Sequence, residues 1–492
     1  MPFELLFSAQ ILSSEHTFWW SLCISICGFL IAFFTVPVIR SWALGRNLVD
    51  SVDPLRKIHS EPTPRIGGVA LIVPFLLATI CIALFLHREL VEAALAKEWF
   101  VMIGGCVAMF VLGFWDDIRP LGAKIKILFQ VLICVLVAMF GFELRALSNP
   151  FTGGQFELGS WGWFFAAFWL LSTTNLINLM DGVDGLAGGL CFIVFAALAL
   201  TMWFTAGVTM FLLCVLMMGT LLGFLVHNFP PARIFMGDGG AYFLGFLIGQ
   251  IGLAGDHKST IAAAMVVPLL ALGVPIIDSV LAMLRRGIRG LPLSYADREH
   301  VHHRLMELGL SPQRTVLLIY LVCVAFSAMG LVVFFQKGKG LALSLGVMFT
   351  LGLAAMWVLR YFRNLNPWEQ FRNAVIIRER TARFVELCRD WTMKIERGEV
   401  DQGFPARFWC DIESQGFCYF AMSEASGKRQ VFGVEPSEGN FLKIKIPVLR
   451  EQKTVAVLEF GVCEAGQLDP RVWERYAAIA RNVLAVWINS RV

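Results

Sequence analysis

The chain has 492 residues, of which 57% are hydrophobic and only 16% charged, with a mean hydropathy of +0.68. Soluble domains carry about 25% charged residues, so this composition excludes a soluble enzyme for most of the chain. The net charge of +4 comes from scattered basic residues and leaves no electrostatic footprint for nucleic acid.

A membrane-spanning helix needs about 20 mostly apolar residues. Eleven segments have that pattern in chain order: about 17–39, 66–86, 99–115, 127–141, 159–177, 185–206, 208–226, 239–254, 261–283, 315–335 and 341–359. The first lacks a basic n-region and a small-residue cleavage site, so it reads as a retained helix and not a signal peptide. Orientation follows from the loops. Alternate loops carry fifteen Lys and Arg on one side, among them Arg40, Arg65, Lys126, Arg233 and Arg304, against six on the other. The richer side is read as cytoplasmic, which puts the N-terminus outside. Of twelve cysteines, eight lie inside apolar runs and the other four form no CxxC pair. Free, buried thiols are expected, and no disulfide framework or zinc site.

From about residue 364 the character changes, and no later run is long enough to span. Residues 366–396 read as an amphipathic helix with Phe371, Val375, Ile376, Phe384, Leu387 and Cys388 as its apolar positions. Residues 441–449 and 454–462 alternate as strands, and 472–488 read as a closing helix after Asp469-Pro470. The predicted architecture is a polytopic α-helical membrane protein with about eleven transmembrane helices over residues 1–362. A small soluble α/β domain on the cytoplasmic side follows over 363–492.

Carboxylates that cannot be solvated surface are the informative residues of a membrane protein. Four charged groups stand out, all on the cytoplasmic side by the charge count: Gly113-Phe-Trp-Asp116-Asp117, the run Asn175 to Ala187 with Asp181 and Asp184, the run Asn228 to Gly240 with Asp238, and Asp297-Arg-Glu-His300-Val-His302-His303-Arg304. Each has an ordinary reading by itself. Asp184 or Asp238 could be an N-cap, Asp116-Asp117 a charged helix end, and the histidines a solvated loop or a metal site. Their convergence on one face, beside glycines, fits a magnesium-dependent phosphate site. Mg2+ takes oxygen ligands, typically one or two carboxylates with phosphates and waters, and glycine lets backbone N–H groups approach phosphate closely.

These motifs, in this order, resemble the polyprenyl-phosphate N-acetylhexosamine-1-phosphate transferases. Arg65-Ile-Gly-Gly68, Asp116-Asp117, Asn178-Leu-Met-Asp181-Gly-Val-Asp184-Gly, Phe235-Met-Gly-Asp238-Gly-Gly and His300-Val-His302-His303-Arg304 carry the resemblance, which covers roughly residues 17–360. It implies transfer of a sugar-1-phosphate from a UDP-sugar to undecaprenyl phosphate, with release of UMP, to start O-antigen, capsule or exopolysaccharide synthesis at the bacterial inner membrane. It implies Mg2+, with Mn2+ as the alternative ion, on Asp238 and Asp181. Asp116 and Asp117 resemble the paired carboxylates that position or deprotonate the lipid phosphate. Lys126 resembles a basic residue near the phosphates, and His300, His302 and His303 join them as catalytic candidates. Asn178, Gly182, Val183, Asp184 and Phe235 resemble substrate-binding positions, the phenyl ring stacking on uracil, with Arg304 beside them. The HxHH spacing is similar to the N-acetylglucosamine-1-phosphate branch, whereas the peptidoglycan-precursor phospho-N-acetylmuramoyl-pentapeptide branch tends to three consecutive histidines. The C-terminal domain departs from the family core and looks faintly GAF-like; dimerisation, regulation or docking of a cytoplasmic partner is its expected role. An ion-coupled transporter is the competing class. It predicts mid-span carboxylates and broken helices in symmetric halves, whereas these motifs sit at helix ends.

Overall fold

The computed structural model describes residues 15–46, 48, 63–86, 93–142, 144, 146–148, 155–205, 208–254, 261–288, 300–336, 340–358, 367–401, 403–424, 429–434, 442–450, 453–462 and 470–490. They fall into two compact units: 1–285 with 293–364, and 286–292 with 365–492.

The first unit is helical. In chain order it contains α1 (Glu15–Gly45), α2 (Gly68–Leu86), α3 (Ala93–Ile118), α4 (Ala123–Phe140), a short hairpin of β1 (Ala146–Ser148) and β2 (Gln155–Glu157), α5 (Gly162–Met180), α6 (Leu186–Phe204) and α7 (Val208–Asn228). There follow α8 (Gly237–Leu253), α9 (Ile261–Ala271), α10 (Gly273–Ile288), the short α11 (Val301–Glu307), α12 (Pro312–Phe335) and α13 (Leu341–Val358). The described residues of all eleven apolar segments are largely helical. Among the described residues, seven helices are long and apolar enough to cross a membrane, and an eighth span arises if α9 and α10, bent by 62° at Leu272, count as one. The protein is a membrane protein. The hairpin, with Leu147 opposite Phe156, lies in the connection between α4 and α5.

Apolar side chains gain nothing by leaving lipid for each other, so helices in a bilayer associate through small residues that let backbones meet. Gly219 and Gly223 of α7 lie against the Ser25 and Phe29 carbonyls of α1, where any Cβ would collide. The hub is α8. Every residue from Gly239 to Gly252 is buried, and α2, α3, α5, α6 and α9 all pack around it. Its first residues carry the site.

The second unit holds α14 (Pro367–Glu396), α15 (Phe404–Glu413), β3 (Tyr419–Glu424), β4 (Arg429–Gly433), β5 (Leu442–Arg450), β6 (Lys453–Val462) and α16 (Pro470–Ser490). The strands form one antiparallel sheet in the order β4-β3-β6-β5. Along β6, Ala456, Leu458, Phe460 and Val462 are buried, as a strand with one covered face requires. Phe420 stands opposite both Phe432 and Phe460, and Phe384, Phe404, Phe408, Trp473, Tyr476 and Trp487 complete the core. The two predicted strands and both long helices are present. Helix α15 and strands β3 and β4 were not anticipated. Phe384 and Cys388 are buried as expected; the side chains of Phe371, Val375 and Ile376 lie outside the described set.

The expectation for cysteines needs correction. Cys106, Cys134, Cys191, Cys214, Cys323 and Cys388 are free and buried, but Cys23, Cys27, Cys81 and Cys410 are exposed. Cys418 is disulfide-bonded. A span turns one face to lipid, so an apolar run does not by itself bury its cysteines.

Candidate active site

The last turn of α3 supplies Asp116 and Asp117, and the two do different work. Asp117 accepts the backbone N–H groups of Asp238 (2.9 Å) and Gly239 (3.0 Å), at the start of α8. The first N–H groups of a helix have no partner within it, and a carboxylate there also meets the positive end of the helix dipole. Asp117 therefore caps α8 from a neighbouring helix. Asp116 accepts the Leu121 N–H at 2.6 Å and pairs with the Lys126 ammonium. Lys126, in the first turn of α4, also reaches Asp238 at 3.0 Å, which in turn accepts the Tyr242 hydroxyl at 3.1 Å. One lysine thus bridges two carboxylates from different helices.

Close backbone approach makes this possible. Gly113 lies against the carbonyl group of Asp238, Gly68 against Gly240, and Gly237 (φ +76°) against the Arg65 carbonyl and the Asp117 carboxylate. The chain before α2 pairs with the chain before α8: Phe235 N–H donates to the Pro64 carbonyl (2.8 Å), and Gly67 N–H to the Phe235 carbonyl (2.9 Å). The glycines were expected to bare amides toward phosphate. At Asp238 and Gly239 those amides go to Asp117 instead, and the glycines serve helix contact.

The turn between α5 and α6 joins the same cluster. Asp181 ends α5 and lies beside the Gly237 backbone, with Asp238 and Asp117 as its charged neighbours. Burial first, then those two carboxylates, hold its carboxyl well above the ordinary carboxylate range. Asp184 accepts the Ala232 N–H (2.9 Å). Gly185, at φ +74°, donates its N–H to Asn228 (3.1 Å), whose amide donates to the Ile234 carbonyl (2.8 Å). These bonds fasten Gly182–Asp184 to the segment that ends in Phe235.

The histidine motif opens α11. Its first member, His300, bonds through Nδ1 to Asp278 of α10 at 2.9 Å, and Asp278 also accepts the Val301 N–H (3.0 Å). The His300 and His302 rings stack with centroids 5.6 Å apart, and His303 lies 4.4 Å from His302. A Cβ on Gly182 would lie 3.9 Å from the His302 ring, so the motif abuts the Asp181–Asp184 turn. Burial, followed by the neighbouring His303, lowers the His302 pKa to about 3. Arg304 pairs with Glu307 at 2.9 Å. Asp297 and Glu299 lie outside the described residues.

Residues 99–256, from α3 through α8, match glycosyl transferase family 4. A Bacillus subtilis protein named "Probable undecaprenyl-phosphate N-acetylglucosaminyl 1-phosphate transferase" is 34% identical over 330 residues, 66% of this chain and 88% of the relative. The chain belongs to glycosyl transferase family 4. Proteins of Yersinia pestis and Escherichia coli K12, both named undecaprenyl-phosphate alpha-N-acetylglucosaminyl 1-phosphate transferase, are 26% and 28% identical. The alignments span 62% and 61% of this chain, and 82% and 81% of those relatives.

Within this family 4 chain, Asp116, Asp117, Lys126, Asp181 and Asp238 come from four helix ends to one place, while Asp184 is tied to Ala232. Gly182 lies beside the His302 ring, Val183 packs against the apolar core, and the Phe235 backbone pairs with Pro64 and Gly67. The Asn178 carbonyl accepts the Asp181 N–H. The sequence did not single out Tyr242 or Asp278, and it named Asn228 only as the start of the third motif, with no role. Of these, Asp278 had a signal: a lone carboxylate inside the ninth apolar segment. Asp181 and Asp238 suit a divalent cation, because half-buried Asp181 stands among like charges that a cation would offset. Among the described residues, no three His, Cys, Asp or Glu side chains stand in ligand geometry. A Mg2+ ion with one or two protein carboxylates and substrate phosphates does not require three.

Proposed function

We propose that the chain transfers an N-acetylhexosamine-1-phosphate from a UDP-sugar to undecaprenyl phosphate at the cytoplasmic face of the bacterial inner membrane, releasing UMP. The relatives' names favour N-acetylglucosamine. The observation that carries this reading is the Asp116–Lys126–Asp238 bridge, with Asp181, the Gly182–Asp184 turn and the histidine motif around it.

The physical problem is to bring two anionic phosphates together. Two unit charges about 4 Å apart repel by roughly 4 kcal/mol at an effective dielectric near 20, and positioning with electrostatics supplies most phosphoryl-transfer catalysis. A phosphate oxygen of the lipid attacks the sugar-linked phosphorus; the new P–O bond forms as the bond to the UMP oxygen breaks. The lipid phosphate is a competent nucleophile without a strong base, since its second pKa is about 6. Bound at Asp181 and Asp238, Mg2+ would supply charge neutralisation at the diphosphate. Lys126, swinging from its carboxylates, offers a cation to the incoming phosphate, and Phe235 with Asp184 and its neighbours holds the uracil. Neutral His302 packs beside this turn as a hydrogen-bonding group rather than a charge.

The test is transfer from radiolabelled UDP-N-acetylglucosamine into lipid by membranes expressing the chain, with and without Mg2+. Label in lipid, UMP in solution and loss of both on chelation are expected; label that stays in the nucleotide would refute the proposal. The C-terminal unit is proposed to regulate the enzyme, pair two copies or dock a cytoplasmic partner, without touching UDP-sugar.

A further inference from the structure

Asp278 belongs to no motif of the sequence reading. It is 1% exposed, within a helix whose outer face is apolar, and a carboxylate so placed is costly unless it has a task. Both of its oxygens turn to the histidine motif. One accepts the Val301 N–H, an orphan donor at the start of α11, where the N-cap residue His300 gives no side-chain cap of its own. The other meets His300 Nδ1.

The second contact has a chemical consequence. An ionised carboxylate only accepts hydrogen bonds, so the proton on that edge of the ring belongs to Nδ1. In the neutral imidazole, Nε2 then keeps its lone pair. Stacking on His302, itself against Gly182, fixes the plane of the ring. The ring is held on an edge and on a face.

We propose that Asp278 is a positioning residue for the transfer reaction: it sets the tautomer and orientation of His300, so that Nε2 accepts a hydrogen bond from a hydroxyl or amide N–H of the substrate that tightens in the transition state. This rests on the function proposed above. Partners of this kind behind a functional histidine are worth roughly 10- to 100-fold where they have been removed from metal sites.

Asp278→Asn separates this role from capping. The asparagine oxygen can still accept the Val301 N–H, but its amide would donate toward His300 and favour the opposite tautomer. With purified full-length protein, UDP-N-acetylglucosamine and undecaprenyl phosphate, kcat should fall roughly 10- to 100-fold while the KM for UDP-sugar stays unchanged. His300→Ala should also lose kcat, and the double variant should be no worse than His300→Ala, the non-additivity of residues acting through one another. If Asp278→Asn does not survive extraction, Asp278→Glu, which keeps the charge but displaces it by one methylene, enters the same cycle with the same expectation. Wild-type kcat in the Asp278 variant, or losses that simply add, would overturn the positioning role. So would wild-type activity in His300→Ala, although the transferase function would then stand. A wild-type chain that moves no sugar phosphate would refute the function itself.

Discussion

Replacing Asp117 tests whether its carboxylate caps α8 or serves as a base. In Asp117→Ala, the Asp238 and Gly239 amides lose their acceptor at the buried start of α8. Each unsatisfied donor costs about 1–3 kcal/mol, and the lost charge at a helix N-terminus adds about 0.3–1 kcal/mol. Local relaxation recovers part of this, so a net loss of about 2–4 kcal/mol is expected. Asp117→Asn keeps one acceptor and should lose about half as much. Hydrogen exchange in detergent reads the effect where it occurs. With tenfold for every 1.4 kcal/mol, the two amides should exchange roughly 30- to 700-fold faster in the alanine variant, and the asparagine variant should fall between. Transfer activity should fall in the same order, because Asp238 rides on the loosened turn. If exchange at both amides is unchanged while Asp117→Asn is wholly inactive, the carboxylate is a base or a ligand and not a cap.

Phe235→Ala should raise the KM for UDP-sugar about 5- to 150-fold, if stacking on uracil is worth about 1–3 kcal/mol; weakened lipid-phosphate binding at an unchanged KM would misplace the ring. His302, with a pKa of about 3 in the fold against about 6.5 unfolded, binds fewer protons folded than unfolded. Its stabilising contribution is therefore present above about pH 6.5 and is lost as pH falls toward 3, by about 1.4 kcal/mol per unit. Melting at pH 7.5 and 5.0 should show this loss in the wild type and less of it in His302→Asn; equal losses would refute it. Truncation after about residue 365 should leave a chain that inserts and retains Mg2+-dependent transfer. A folded but inactive truncate, restored by adding the soluble unit back, would contradict that.

The sequence announced the helices of the first unit because apolar runs of that length have few other uses. It announced Asp116, Asp117, Asp181, Asp184 and Asp238 because acidic motifs, ordinary one by one, converged beside glycines on one membrane face. The division of labour between Asp116 and Asp117 was not legible. It depends on which carboxylate faces the start of α8, a matter of rotation by one residue. The glycines beside Asp238 were ambiguous for a related reason: a glycine that bares an amide to phosphate and one that admits a neighbouring helix look the same in one dimension. In the second unit, β3 reads Tyr-Phe-Ala-Met-Ser-Glu, with its first four residues buried, so it lacks the alternation that revealed β5 and β6.

The enclosure of α8 bears on how the protein lives in its bilayer. A helix that meets lipid must answer to membrane thickness, tilting or kinking when its apolar length and the hydrocarbon layer disagree. Helix α8 meets protein on all sides, so that adjustment falls on the outer helices, and the aspartate at its tip is insulated from the stretch of the surrounding membrane. Growth temperature and acyl-chain length then reach Asp238 only through its partners on the outer helices, Asp117 and Lys126.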